Sequence, residues 1–139
     1  MGEDSEAIEY YELAIESAIN SVGIKHPDTK IYAKNLCALL QMKCIEAKND
    51  DQLDRAVEML EKQIEVESKV YGESNLWIAL QLNDLGTLFS ANEEYGRAVG
   101  CFSRALEVMD PNAPNTKTVK QNLINARVLS WGGGVGVSP

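Results

Sequence analysis

Two short patterns alternate along this chain, and each returns three times. The segments "EAIEYYELAI" (6–15), "RAVEMLEKQI" (55–64) and "RAVGCFSRAL" (97–106) align without gaps. Each has alanine second, Ile or Val third, and a bulky apolar residue four beyond the alanine: Tyr11, Leu60 and Phe102. Between them, "KNLCALL" (34–40), "NDLGTLF" (83–89) and "QNLINAR" (121–127) each set a polar pair before a leucine. The steps agree as well. Ala7 to Asn35 and Ala56 to Asp84 are both 28 residues, and Gly23 and Gly72 each fall 16 after their alanine. The last unit is shorter, 24 residues from Ala98 to Asn122, with "DPNAPN" at its turn. A unit this small cannot bury its apolar face alone, so a chain that repeats it must stack the copies.

Within every segment the apolar residues recur at intervals of three and four, the period of an amphipathic helix. Six helices are expected, near 4–21, 28–48, 51–70, 74–91, 94–109 and 115–130, with no strands. Gly23 and Gly72 suit C-terminal caps, and His26-Pro27 and Asp110-Pro111 stop helices. Asp50 or Asp51 is expected to cap the third helix, its charge favouring the positive dipole end. Seven more residues lie between Leu36 and Ala56 than between Leu85 and Ala98. Seven is close to two turns, which lengthens a hairpin without rotating its apolar face. After Ser130 the glycine-rich "WGGGVGVSP" predicts a flexible tail over 132–139, leaving a repeat domain over 3–131.

One residue resists local logic. Gly86 sits in mid-helix, where glycine costs about 1 kcal/mol relative to alanine. A helix crossing accounts for it: Gly86 and the alanines at 56, 98 and 105 let neighbouring helices approach, with Leu85, Phe89 and Phe102 filling the space between.

Composition narrows the function. A formal net charge of −8 argues against nucleic acid, whose phosphates require clustered Lys and Arg, and mildly favours a basic partner. Cys37, Cys44 and Cys101 stand in no metal-ligand spacing. Cys37 and Cys44, two turns apart on one helix, are separated by roughly 10 Å, too far for a disulfide. Reduced thiols and a cytoplasmic protein follow. No apolar run approaches the roughly 20 residues of a membrane span, and no secretory signal or myristoylation motif is present. One histidine, His26, stands before a proline without a partner for general base work, no Gly-rich phosphate loop is found, and "KNDDQLD" lacks the spacing of a calcium loop. The expectation is no enzyme, no metal and no cofactor.

Leu82-x-x-Leu85-Gly86-x-x-Phe89, followed by Ala98-x-x-x-Phe102-x-x-Ala105 and Asp110-Pro111, resembles the tetratricopeptide repeat (TPR) signature, with leucine in place of its tryptophan and Phe in place of its tyrosine. Cys37 and Ile124 replace the signature glycine in the flanking units. The 42-residue step from Ala56 to Ala98 and the turns "KVYGESN" and "HPDTKIYAKNL" look like the longer-repeat branch typified by kinesin light chains. The resemblance implies an all-α, right-handed superhelical solenoid of antiparallel helix pairs. It would hold about three repeats, opening on a second-type helix and closing on a first-type helix, with half-repeats at both ends. Solenoid arrays need polar capping units, and the final "KTVKQNLINARVLSW" is polar enough to serve as one; the alternative is a fragment of a longer array.

The resemblance also implies a function. First-type helices of the family line a concave groove that binds peptides. Carried over residue by residue, the groove positions are Lys34, Asn35 and Ala38; Asn83, Asp84 and Thr87; and Gln121, Asn122 and Asn125. Amide side chains donate and accept, so a row of them can grip an extended backbone; alternatively they face solvent or hold neighbouring turns together. The three sets would make a track about 40 Å long, room for about 12 extended residues. Asp84 stands where carboxylate-gripping members have asparagine, and a buried aspartate repels a carboxylate. The expected partner is a protein or peptide segment of basic character, not a nucleic acid or a membrane. The alternative is an assembly element whose open ends stack on another copy or on the rest of a larger protein.

Overall fold

A computed structural model describes residues 2–72 and 74–135. It contains six helices in chain order: α1 (Gly2–Ser21), α2 (Pro27–Asn49), α3 (Leu53–Tyr71), α4 (Leu76–Ala91), α5 (Tyr95–Val108) and α6 (Pro114–Val135). No strand occurs among the described residues. The chain divides into two compact units, Met1–Glu73 with α1 to α3 and Ser74–Pro139 with α4 to α6.

In the first unit α2 is the central element, packing against both α1 and α3. Ala33, Leu36, Leu40, Cys44 and Ala47 line its buried side, and Ile8, Ile15 and Ala18 of α1 and Ala56, Leu60 and Ile64 of α3 are buried with them. Its length follows from the insertion seen in the sequence: α2 has 23 residues where α4 has 16. The added turns carry Lys43, whose Nζ donates to Asp4 Oδ2 at 2.8 Å and to Glu46 Oε1 at 3.1 Å. This ties the start of α1 to the far part of α2. The hydrogen bond and charge of Lys43 hold the Asp4 carboxyl below its ordinary value, and the same bond pushes the Lys43 ammonium up.

The turns use the residues expected of them. Gly23 and Gly72 have φ of 97° and 92°, the region that favours glycine. The Gly23 N–H reaches back to Ala18 O and the Gly72 N–H to Ser68 O. His26 caps α2, its Nδ1 accepting from the Asp28 N–H at 3.1 Å, and Asn75 repeats the arrangement on α4 with the Trp77 N–H at 2.7 Å. Two buried threonines form a further repeat: Thr29 Oγ1 donates to Gly23 O, and Thr116 Oγ1 to Asp110 O, each spanning six residues.

Two expectations are corrected. Asp50 closes α2 and Asp51 has φ of 60°; the residue before α3 is Gln52, which makes no side-chain cap bond. The backbone turns between the helices too early for either aspartate to reach the first amides of α3. The second correction is a boundary: α6 runs to Val135 instead of ending near Ser130. Glycine costs about 1 kcal/mol per position but blocks no hydrogen bond, so a helix already formed can extend through it. The rest of the expected tail, 136–139, lies outside the described residues.

In the second unit α5 packs against both α4 and α6, and α4 also touches α6. The crossing inferred from Gly86 is present. A β-carbon there would stand 2.6 Å from Phe102 Cε1 and 2.8 Å from Cζ, closer than real contacts allow. The ring lies directly on the α4 backbone, which outweighs the propensity cost of the glycine.

The three thiols form no disulfide with one another and are buried. Burial, and secondarily the Glu67 carboxylate, push Cys37 from an ordinary 9.0 up to about 12. Since the folded value is the higher one, stability at this site is unaffected below about pH 9 and falls between pH 9 and 12, where only the unfolded chain ionises. Native protein at pH 8.5 should therefore leave Cys37 unlabelled by a thiol reagent, and non-reducing mass spectrometry should find no bridge. Stoichiometric labelling without unfolding would contradict the burial.

Candidate surface of the first-type helices

All nine residues expected in the groove are exposed or half-buried, on the sides of α2, α4 and α6 away from the core. In α4 the reason is local: Leu82, Leu85, Gly86 and Phe89 fill the buried side, leaving Asn83, Asp84 and Thr87 on the other. In α6 Val119, Leu123 and Ala126 are buried and Gln121, Asn122 and Asn125 turn outward. The same register leaves Lys34, Asn35 and Ala38 exposed on α2, around buried Leu36 and Cys37.

The second unit brings part of its set together. Asn122 Nδ2 donates to Asn83 Oδ1 at 3.0 Å, joining two first-type helices through half-buried amides. Gln121 Nε2 donates to Asn125 Oδ1 at 3.0 Å along α6, and Thr87 Oγ1 donates to Asn83 O at 3.0 Å. Several of these groups thus hold helix turns to each other. The Asn83–Asn122 bond uses one acceptor of one amide and one donor of the other, out of two of each per side chain. Asp84 is exposed rather than buried, so its charge acts through solvent and is weakened by salt.

Three apolar residues belong to the α2 surface and escaped the sequence reading. Ile31, Met42 and Ile45 are exposed and, with Asn35 and Ala38, form a stripe at alternating spacings of four and three. The periodicity was visible, but α2 has apolar residues on both sides, and periodicity cannot say which side a neighbour covers. Among the described residues no group of three His, Cys, Asp or Glu could hold a metal ion, and no helix is long and apolar enough to cross a membrane.

No protein-family model matches the sequence, and no curated protein matches it. Solved structures do. BtubC (BKLC) from P. vanneervenii superposes with a TM-score of 0.56 at 22% identity, over 93% of this chain and 50% of that one. A kinesin-light-chain-like protein of Podosopora anserina, with nearly identical TPR-like repeats, gives 0.55 at 17% identity, over 93% of this chain and 60% of that one. The chain thus spans between half and three-fifths of the length of the structures it matches. The likeness is one of fold: this is an all-α, TPR-like helical repeat.

Proposed function

We propose that the chain is a non-catalytic protein-interaction scaffold whose α4–α6 surface holds an extended segment of a partner protein. The observation that carries this reading is the Asn83–Asn122 bond. It fixes two amides from successive first-type helices at a set separation, with donors and acceptors left over for a peptide backbone. Amides placed in advance lose less freedom on binding than mobile ones. Asp84, Thr87, Gln121 and Asn125 surround the pair, exposed. The Asp84 carboxylate and the net charge of −8 favour a segment containing Lys or Arg. In the first unit, Lys34, Asn35 and Ala38 form a smaller polar patch within the Ile31, Met42 and Ile45 stripe, suited to a segment with apolar side chains.

Selection from a library of random twelve-residue peptides, followed by calorimetry, tests this. Enrichment of Lys or Arg is expected. Asp84→Ala combined with Asn125→Ala changes two exposed side chains, and although Asn125 accepts from Gln121, the melting temperature should fall only slightly while binding weakens about tenfold, or about 1.4 kcal/mol. Added salt should weaken the wild type more than the variant, which has lost the charged contact. A folded variant binding the selected peptides at full strength would move the site off this surface.

A further inference from the structure

The first and last helices carry opposite charge. α1 contains six carboxylates, Glu3, Asp4, Glu6, Glu9, Glu12 and Glu16, and no lysine or arginine. α6 contains Lys117, Lys120 and Arg127 and no carboxylate, in a chain whose net charge is −8. Each set surrounds uncovered apolar side chains. On α1, exposed Glu6, Glu9 and Glu16 flank Tyr10 and Leu13, which are 66% and 67% exposed. On α6, exposed Lys117, Lys120 and Arg127 flank Ile124, Val128 and Trp131, which are 52%, 59% and 74% exposed. Each set has an outer pair ten residues apart, Glu6 and Glu16 on α1 and Lys117 and Arg127 on α6. Among the described residues the ion pairs of lysine and arginine use Lys43, Lys62 and Arg97, and none uses the basic set of α6.

The repeat register accounts for the open face of α6. Ile124 and Trp131 occupy the places that Cys37 and Cys44 hold on α2, and those are buried, Cys37 facing Glu67 of α3. On α4 the place of Ile124 is taken by Gly86, under Phe102 of α5. Both earlier first-type helices are therefore covered there by the second-type helix that follows. On α6 that position is exposed, and α1, a second-type helix, packs mainly on α2, with Glu12 also paired to Lys62 of α3.

We propose that this chain associates with a second copy of itself head to tail, α1 of one copy docking on α6 of the next. In an antiparallel crossing, the register that sets Glu6 against Arg127 also sets Glu16 against Lys117, with Tyr10 beside Ile124 and Leu13 against the alkyl stem of Lys120. Steering comes from the charges and burial from the apolar residues. The contact is heterologous, joining two different surfaces rather than one surface to itself.

Sedimentation equilibrium on the 139-residue chain tests this, with circular dichroism to show that each variant is folded. The wild type should gain weight-average mass with concentration, and less so in high salt. Glu6→Lys with Glu16→Lys should weaken association at least about tenfold, as should Lys117→Glu with Arg127→Glu. The four substitutions in one chain restore opposite signs and should restore association, and an equimolar mixture of the two double variants should associate as well. A wild type that stays monomeric up to about 1 mM would overturn the proposal, since a contact that weak is negligible. So would association that survives both reversals unchanged, or a folded fourfold variant that does not associate.

Discussion

Phe102→Ala is expected to lower stability by about 3–5 kcal/mol, the range for removing a buried aromatic side chain. Phe102 is 2% exposed and belongs to α5, the helix on which both α4 and α6 pack, so the cavity would open at the centre of the second unit. Its ring fills the space that Gly86 leaves open, which makes the two positions one packing element. Gly86→Leu alone should cost about 1–3 kcal/mol by overpacking, despite a gain of about 1 kcal/mol in helix propensity. In the Phe102→Ala background the same substitution meets a cavity instead of a ring, and should cost much less or stabilise. Urea unfolding of the four chains measures the coupling. Effects that add to within about 0.5 kcal/mol would mean the residues do not touch.

Leu36→Ala is the second large effect expected, about 2–5 kcal/mol. Leu36 is wholly inaccessible, on the helix against which both α1 and α3 pack. A cavity there loosens two interfaces at once. Ile31→Ala, five residues earlier on the same helix but exposed, should stay within about 0.5 kcal/mol and serves as the control. Equal losses from the two substitutions would mean that α2 packs with a different side inward.

Much of the fold can be read in the residues. α1 and α3 end at glycines and α2 begins at the expected proline, and a mid-helix glycine paired with a phenylalanine sixteen residues on encodes a crossing. Other features depend on tertiary detail that a linear reading does not contain. Whether Asp50 or Asp51 could cap α3 hinged on the path of a short turn, and the backbone took another path. That Thr29 and Thr116 tether their turns follows from their burial, which turns a neutral residue type into a fixed donor. Of the candidate surface, the outward direction of all nine residues was legible because the buried side of each first-type helix is marked by leucine. The bond between Asn83 and Asn122 was not, since it depends on α4 and α6 approaching within hydrogen-bond distance. The exposed apolar residues of α1, α2 and α6 were hidden for a related reason: an apolar residue looks the same in sequence whether or not a neighbour covers it.

The arrangement of each unit around one central helix bears on how these helices open and close. In the first unit α1 can detach while α2 and α3 remain joined, and α3 can detach while α1 and α2 remain joined, but α2 cannot leave without releasing both. Partial openings should therefore begin at the periphery and reach the middle only in global unfolding. The charged, partly apolar α1 lies at that periphery. A contact made there would suppress the opening that needs least free energy, so whatever docks on α1 would slow the motions of its unit without touching the core.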